Sequence, residues 1–238
     1  MAFFHYHLMF LLWATLPALA MGQDWTGPVK NYYRQQDSCI NLYDDTSARV
    51  MQIILIRHGE PDLEKRGCRN RDEAIRFIRA YDSAGVIPLA SQPVCNPSVR
   101  ASTIFHSTLP RARETAELAF GSSYNLEGRE QFVEFGRKIM KFCNIPMPLK
   151  CWTTSSRLLW LLGMNDLGIE SFRQARTRAR ENAAFLARRA VQDNQVVLVA
   201  HGLHNRYVKK YLKNLGWNVM YNGGKDYLSV QVLALEVR

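Results

Sequence analysis

Two apolar runs in this 238-residue chain, "IILIRHGE" and "VLVAHG", each stop on a histidine followed by a glycine, at His58-Gly59 and His201-Gly202. Arg57 stands directly before the first histidine, and Arg111 lies in "STLPRARETA". Brought to one place, two imidazoles and two guanidiniums would form a pocket for a tetrahedral dianion. Arginine forks match phosphate oxygens in pairs, and the N-terminus of a helix adds aligned N–H groups. Each glycine would let the backbone turn sharply and bring amides close to a ligand. A metal ion would require ligands without competing cations, so metal binding is disfavoured, and no Cys/His spacing resembles a zinc site. No glycine-rich nucleotide loop is present, and no cofactor is expected.

For those side chains to meet, the runs that carry them must be neighbours in one sheet. Residues 50–56 are continuously apolar and branched, as in a strand buried on both faces, and "QVVLVA" repeats that character. "ASTIFHS" reads as a third strand ending near Ser107. The helix after it has Pro110 near its start and Gly121 just past its end, which puts Arg111 in the first turn. A helix is expected over residues 71–85, with Ala74, Ile75, Ile78 and Tyr81 on one face and Gly85 as its stop. "QFVEF" reads as a further strand, residues 143–166 as an irregular, partly helical insertion, and residues 169–191 as a long helix. "LHNRYVKKYLKNLG" is helical and "YLSVQVLALEV" a closing strand. Strands separated by helices predict a three-layer α/β/α sandwich with a mostly parallel central sheet. Ligands of such sheets sit at the carboxyl ends of the strands, where His58 and His201 stand.

The order and spacing of three motifs resemble the histidine phosphatase superfamily, which includes phosphoglycerate mutases and many acid phosphatases. They are "RHGE" at Arg57 to Glu60, "STLPRARETA" at Ser107 to Ala116, and "VLVAHG" ending at Gly202. The resemblance implies a phosphoglycerate mutase-like fold over residues 50–238. It implies His58 as a nucleophile forming a phosphohistidine, with Arg57, Arg111 and His201 binding the phosphoryl group. It also implies a carboxylic acid after the Arg111 helix. Glu134 suits that role, since an apolar approach would raise its pKa toward a usable value; Glu130 and Glu127 are alternatives. The insertion at 143–166 is similar to the cap of some members, and His106, Asn205 and Arg206 are candidates for the rim. The implied activity is phosphomonoester hydrolysis on a phosphorylated small molecule or an envelope glycan or lipid. Two alternatives stand beside it: a mutase-type phosphotransferase, and a non-catalytic anion-binding protein of the same fold.

The bulk composition agrees with an anionic partner. The formal net charge is +10, with 47% hydrophobic and 22% charged residues. The arginines of "RQARTRARENAAFLARR" alternate with alanines at helical spacing and read as a solvated helix face, so no nucleic-acid partner is expected. The run from Leu8 to Ala20 ends small-x-small, which makes residues 1–20 a secretory leader and 21–49 a polar lead-in. The run is too short for a stable membrane span after cleavage. Periplasmic or secreted placement follows, with an uncleaved anchor, or a cytoplasmic product starting at Met21, as the alternatives. The five cysteines include no C-x-x-C; Cys143 and Cys151 are near enough in sequence to pair.

Overall fold

The computed structural model describes residues 49–64, 67–88, 99–141, 144–164 and 168–237. The leader, nearly all of the lead-in, and Cys39, Cys95 and Cys143 lie outside the described residues. Cys68 and Cys151 are free thiols.

A six-stranded sheet organises the domain in the order β4-β3-β6-β1-β8-β7. The strands are β1 (Arg49–Arg57), β3 (Thr103–Ser107), β4 (Asn125–Arg129), β6 (Gln195–Ala200), β7 (Asn218–Asn222) and β8 (Val230–Val237). A separate two-stranded pair joins β2 (Cys68–Arg69) to β5 (Met147–Pro148). β4, β3, β6 and β1 run parallel, while β8 and β7 close the sheet antiparallel. β1 lies between β6 and β8, and its continuous apolar run is buried from Met51 to Ile56.

Alternation along β1 divides the core in two. Met51, Ile53 and Leu55 face α4 (Phe172–Asp193) and α5 (Gly202–Asn214). Ile54 and Ile56 face α2 (Pro110–Phe120) on the other side. The helices therefore cover both faces, as the α/β/α sandwich requires. α4 lies against the sheet through Ala175, Ala179, Ala183 and Ala190, all fully buried, while Arg173, Arg176, Arg180 and Arg188 are exposed. Small side chains at that spacing bring the helix axis close to the strands. A satellite cluster joins α1 (Arg71–Ser83) to α3 (Leu149–Leu161) through Phe77, Ile78, Trp152 and Leu159.

Three expectations are corrected. "QFVEF" is not a strand: Glu130–Phe132 form a single 3-10 turn, followed by extended chain. Phe132 and Phe135 both enter the same core cluster, which a strand forbids, because residues three apart point to opposite faces. The strand that pairs with β3 is "NLEGR", an edge strand with no buried residue and so without an apolar signal. Gly85 stands just past the Ala84 C-cap of α1, but without the positive φ of a glycine cap; it leaves room for Glu114, whose carboxylate would lie 2.2 Å from a Cβ there. The insertion is more regular than expected, since α3 fills most of it. Among the described residues, no helix is long and apolar enough to cross a membrane.

The alanine stripe predicts the effect of overpacking. Ala183→Leu should lower the free energy of unfolding in urea by about 1–3 kcal/mol. The same change at exposed Glu181 should stay within about 0.5 kcal/mol.

Candidate functional site

The pairing of β1 with β6 places the two histidines. The strands run parallel with Arg57 opposite Ala200, and the His58 N–H donates to the Ala200 carbonyl at 2.9 Å, so both chains leave the sheet at one level. The rings of His58 and His201 lie 5.1 Å apart, and both residues are buried. His58 Nδ1 is 2.7 Å from the Gly59 carbonyl. Only a protonated nitrogen can make that bond, so the proton sits on Nδ1 and the lone pair on Nε2. The Gly59 N–H donates to Thr115 Oγ1 at 2.9 Å, which fixes the turn against α2.

His201 is held by a hydroxyl instead of a carbonyl. Ser107 Oγ accepts from the Leu109 N–H at 3.3 Å and lies 2.8 Å from His201 Nε2. Among the described residues, the buried Nδ1 of His201 has no hydrogen-bond partner. Burial, and after it the charges of His58 and Arg111, push the pKa of His201 well below 6.5. His204 is likewise buried and lowered to about 3, first by burial and then by Arg178. Its Nε2 lies 2.9 Å from Asn182 Nδ2, which donates to it.

A cavity of about 480 Å³ opens at these strand ends, lined by His58, Arg57, Arg111 and Glu134 among others. Arg57 stacks on Tyr227, 4.3 Å from the ring centroid, and donates through Nη1 to the Lys225 carbonyl. Gly202 makes room for it, because a Cβ there would meet Arg57 Nε at 3.3 Å. Arg111 is buried in the first turn of α2 and donates to the Tyr81 carbonyl at 2.8 Å, with Asp82 Oδ1 at 3.4 Å. Burial lowers its pKa, opposed by Tyr81, Asp82 and Glu134. Among the described residues, the buried Nε atoms of Arg57 and Arg111 have no hydrogen-bond partner.

Among the described residues, Glu134 is the one carboxylate lining that cavity. Its surroundings are not the apolar ones expected. The carboxylate accepts from the N–H groups of Phe135 at 2.9 Å, His204 at 3.1 Å and Leu203 at 3.4 Å. The last two open α5, whose N-cap His201 makes no side-chain cap, so Glu134 caps the helix from outside. Arg178 holds the approach to Glu134 through the carbonyls of Gln131 and Val133, both at 2.8 Å. Arg157 of α3 holds the exit through the Gly136 carbonyl at 2.8 Å.

The other sequence candidates divide. Asn205 and Arg206 line the cavity, and Asn205 Nδ2 also donates to the Ile56 carbonyl at 3.1 Å. His106 does not line it; its ring packs under Gly128, where a Cβ would meet it at 2.8 Å. Glu127 pairs with Arg129 on the sheet edge, and Glu130 is exposed, so neither joins the cavity. Sequence reasoning missed Tyr81, Arg137, Lys209 and Lys225, which do line it, and Tyr227 beside them. Burial and then Tyr227 push the Tyr81 hydroxyl up to about 12, against the pull of Arg111 and Arg137. Among the described residues, no three His, Cys, Asp or Glu side chains are grouped to hold a metal ion.

Comparison with known proteins shows the family and the fold. A family model described as the histidine phosphatase superfamily (branch 1) matches residues 95–237, more than half of the chain. The match begins beyond His58, which enters the site through the β1–β6 pairing. No curated protein matches the chain in sequence. Among solved structures, a phosphoglycerate mutase from Bacillus anthracis is similar at 17% identity and TM-score 0.50, over 81% of this chain and 91% of that one. An Entamoeba histolytica phosphoserine phosphatase in complex with 3-phosphoglyceric acid matches at 17% identity and TM-score 0.46, over 79% and 95%. A mycobacterial glucosyl-3-phosphoglycerate phosphatase matches at 19% identity and TM-score 0.43, over 68% and 79%. The mutase likeness shows the fold.

The two neutral histidines set the acid response of the fold. The unfolded chain protonates them near pH 6.5, whereas the folded chain does so only far lower, so stability is full above 6.5 and falls with acidification. Between pH 7 and pH 5 the loss from His204 should reach about 2 kcal/mol, with His201 adding to it in the same direction. Denaturant titrations at both pH values check this, and His204→Gln should remove the His204 share of the difference.

Proposed function

This chain belongs to the histidine phosphatase superfamily, and from that premise we propose that it is a phosphomonoester hydrolase working through a phosphohistidine on His58. One observation carries the reading. The His58 Nδ1–H is held by the Gly59 carbonyl, which leaves the Nε2 lone pair at a cavity lined by Arg57, Arg111 and two further arginines and by the Glu134 carboxylate.

The Nε2 lone pair attacks phosphorus in line, the ester P–O bond breaks, and its electron pair leaves on the alkoxide oxygen. Glu134 gives that oxygen a proton. The carboxylate then takes a proton from water, the water oxygen attacks phosphorus, and the N–P bond breaks to release inorganic phosphate and restore His58. Arg57 and Arg111 hold the equatorial oxygens through Nε and Nη donors, and His201 donates through Nδ1–H. The buried donors without protein partners support those assignments, since such groups are costly unless a ligand completes them. The capping bonds orient the Glu134 carboxylate toward one edge of the cavity. Glu134, which lines the same cavity as the nucleophile, supplies the base that transfer to water needs. The leader at residues 1–20 supports export of the mature enzyme, with substrates among phosphorylated small molecules or envelope glycans and lipids. N-terminal sequencing that found residue 21 or 22 first in protein from the cell envelope would agree.

His58→Ala should abolish p-nitrophenyl phosphate hydrolysis with an unchanged circular dichroism spectrum; retained turnover removes the nucleophile assignment. Glu134→Gln should cost about 10²–10⁴-fold on alkyl phosphates and far less on p-nitrophenyl phosphate. Equal losses on both would assign the proton to another group.

A further inference from the structure

The cavity holds more positive charge than one phosphate requires. Arg57, Arg111, Arg137, Arg206, Lys209 and Lys225 line it, against Glu134 alone. Arg57 and Arg111 come from the strand end and helix start beside His58, while Arg137 follows Glu134 and lies 5.3 Å from the Tyr81 ring centroid. The remaining three form a separate group. Arg206 and Lys209 belong to α5, and Lys225 to the turn between β7 and β8.

Nothing in the fold explains that group. Among the described residues, no ion pair involves Arg206, Lys209 or Lys225, and Asp226, next to Lys225 in sequence, is exposed and pairs with none of them. Arg206, Lys209 and Lys213 follow one another at spacings of three and four, which places like charges side by side on one helix face and destabilises the helix. The C-terminal dipole accounts for Lys213 but not for Arg206, which lies in the N-terminal half. Lys209 is half-buried among these cations, and burial and then Lys213, Arg206 and Lys225 all lower its pKa. A second cavity of about 320 Å³ shares Arg206 and Lys209 with the first and continues past Lys210 to Lys213. The positive lining is thus continuous from the nucleophile outward along α5.

We propose that Arg206, Lys209 and Lys225 form a second anion subsite, which binds a further phosphoryl group carried by the leaving group of the substrate. A phosphoryl dianion suits three cations from two elements better than a single carboxylate does, and lysines serve it as point charges while Arg206 supplies a fork. Placed on the leaving group, the second anion orients the ester oxygen toward Glu134 and the first phosphorus toward His58. Lys210 and Lys213, outside the cavity, extend the positive field and speed encounter with such a substrate. This subsite deepens the reading of the chain as a phosphomonoester hydrolase and rests on it for turnover, though not for binding.

The experiment compares α,ω-alkanediol bisphosphates of increasing chain length with alkyl monophosphates of the same length. In the wild-type protein kcat/KM should favour the bisphosphate by at least about tenfold at one chain length, the worth of one well-placed ion pair in a partly enclosed site. The ratio should collapse toward one in Arg206→Gln/Lys209→Gln and in Lys225→Gln. It should persist in Arg180→Gln, which removes an exposed cation of α4 and serves as the control for net charge. A ratio near one at every length, with monophosphates still hydrolysed in a His58-dependent way, overturns the subsite and leaves the reaction standing. Calorimetric titration of wild-type protein with the same esters covers the reverse case. If neither ester is hydrolysed but bisphosphate binds at least about tenfold tighter, and the double variant loses that margin, the reaction fails and the subsite stands. Equal binding of both esters overturns it.

Discussion

The parallel register of β1 and β6 is the constraint on which the site depends. Arg57 stands opposite Ala200, and the ladder continues one bond further, from the His58 N–H to the Ala200 carbonyl. Both strands therefore release their chains at the same height, and the two histidines become neighbours without a loop to position them. A slip of one residue would turn every β1 side chain to the opposite face and take Arg57 away from the cavity. The burial of Ile53 and Leu55 on one face and Ile54 and Ile56 on the other holds the register with the full apolar content of the strand.

Around that pair, helix ends supply what the strands cannot. Ser107 holds the His201 ring, and the start of α2 brings Arg111 into the cavity. The start of α5 binds the Glu134 carboxylate, so the acidic group of the site is also the cap of the helix that presents Asn205, Arg206 and Lys209. Arg178 and Arg157, from helices on either side, hold the chain before and after Glu134 by its carbonyls. In each of these contacts a charged or hydroxyl side chain completes backbone groups that have no partner in secondary structure.

Much of this was legible in the sequence, and the rest was hidden for identifiable reasons. Histidine-glycine pairs after branched runs mark strand ends, and proline before Arg111 marks a helix start, so the positions of His58, His201 and Arg111 follow from local pattern. Glu134 could be picked by its place in the chain, but not its environment, because the N–H groups it accepts come from residues far along the chain. β4 escaped notice because an edge strand carries no apolar alternation, and "QFVEF" misled because Phe132 and Phe135 are buried from an irregular backbone. Tyr81 read as part of a helix's apolar face, and Lys209 was only one position of a helical stretch. Lys225 and Tyr227 lie in a turn whose approach to Arg57 depends on how β8 pairs with β1.

That last pairing also bears on how the molecule is made. β1 emerges early in synthesis yet has no sheet neighbour until β6, and its other edge stays open until β8 arrives. Until then its branched, uncharged run offers two bare edges, the kind of segment that pairs with other chains when left exposed. Few of its contacts are local, so the sheet forms late and slowly. The strand that carries His58 is thus the segment most open to mispairing in the nascent chain until β6 and β8 have been made.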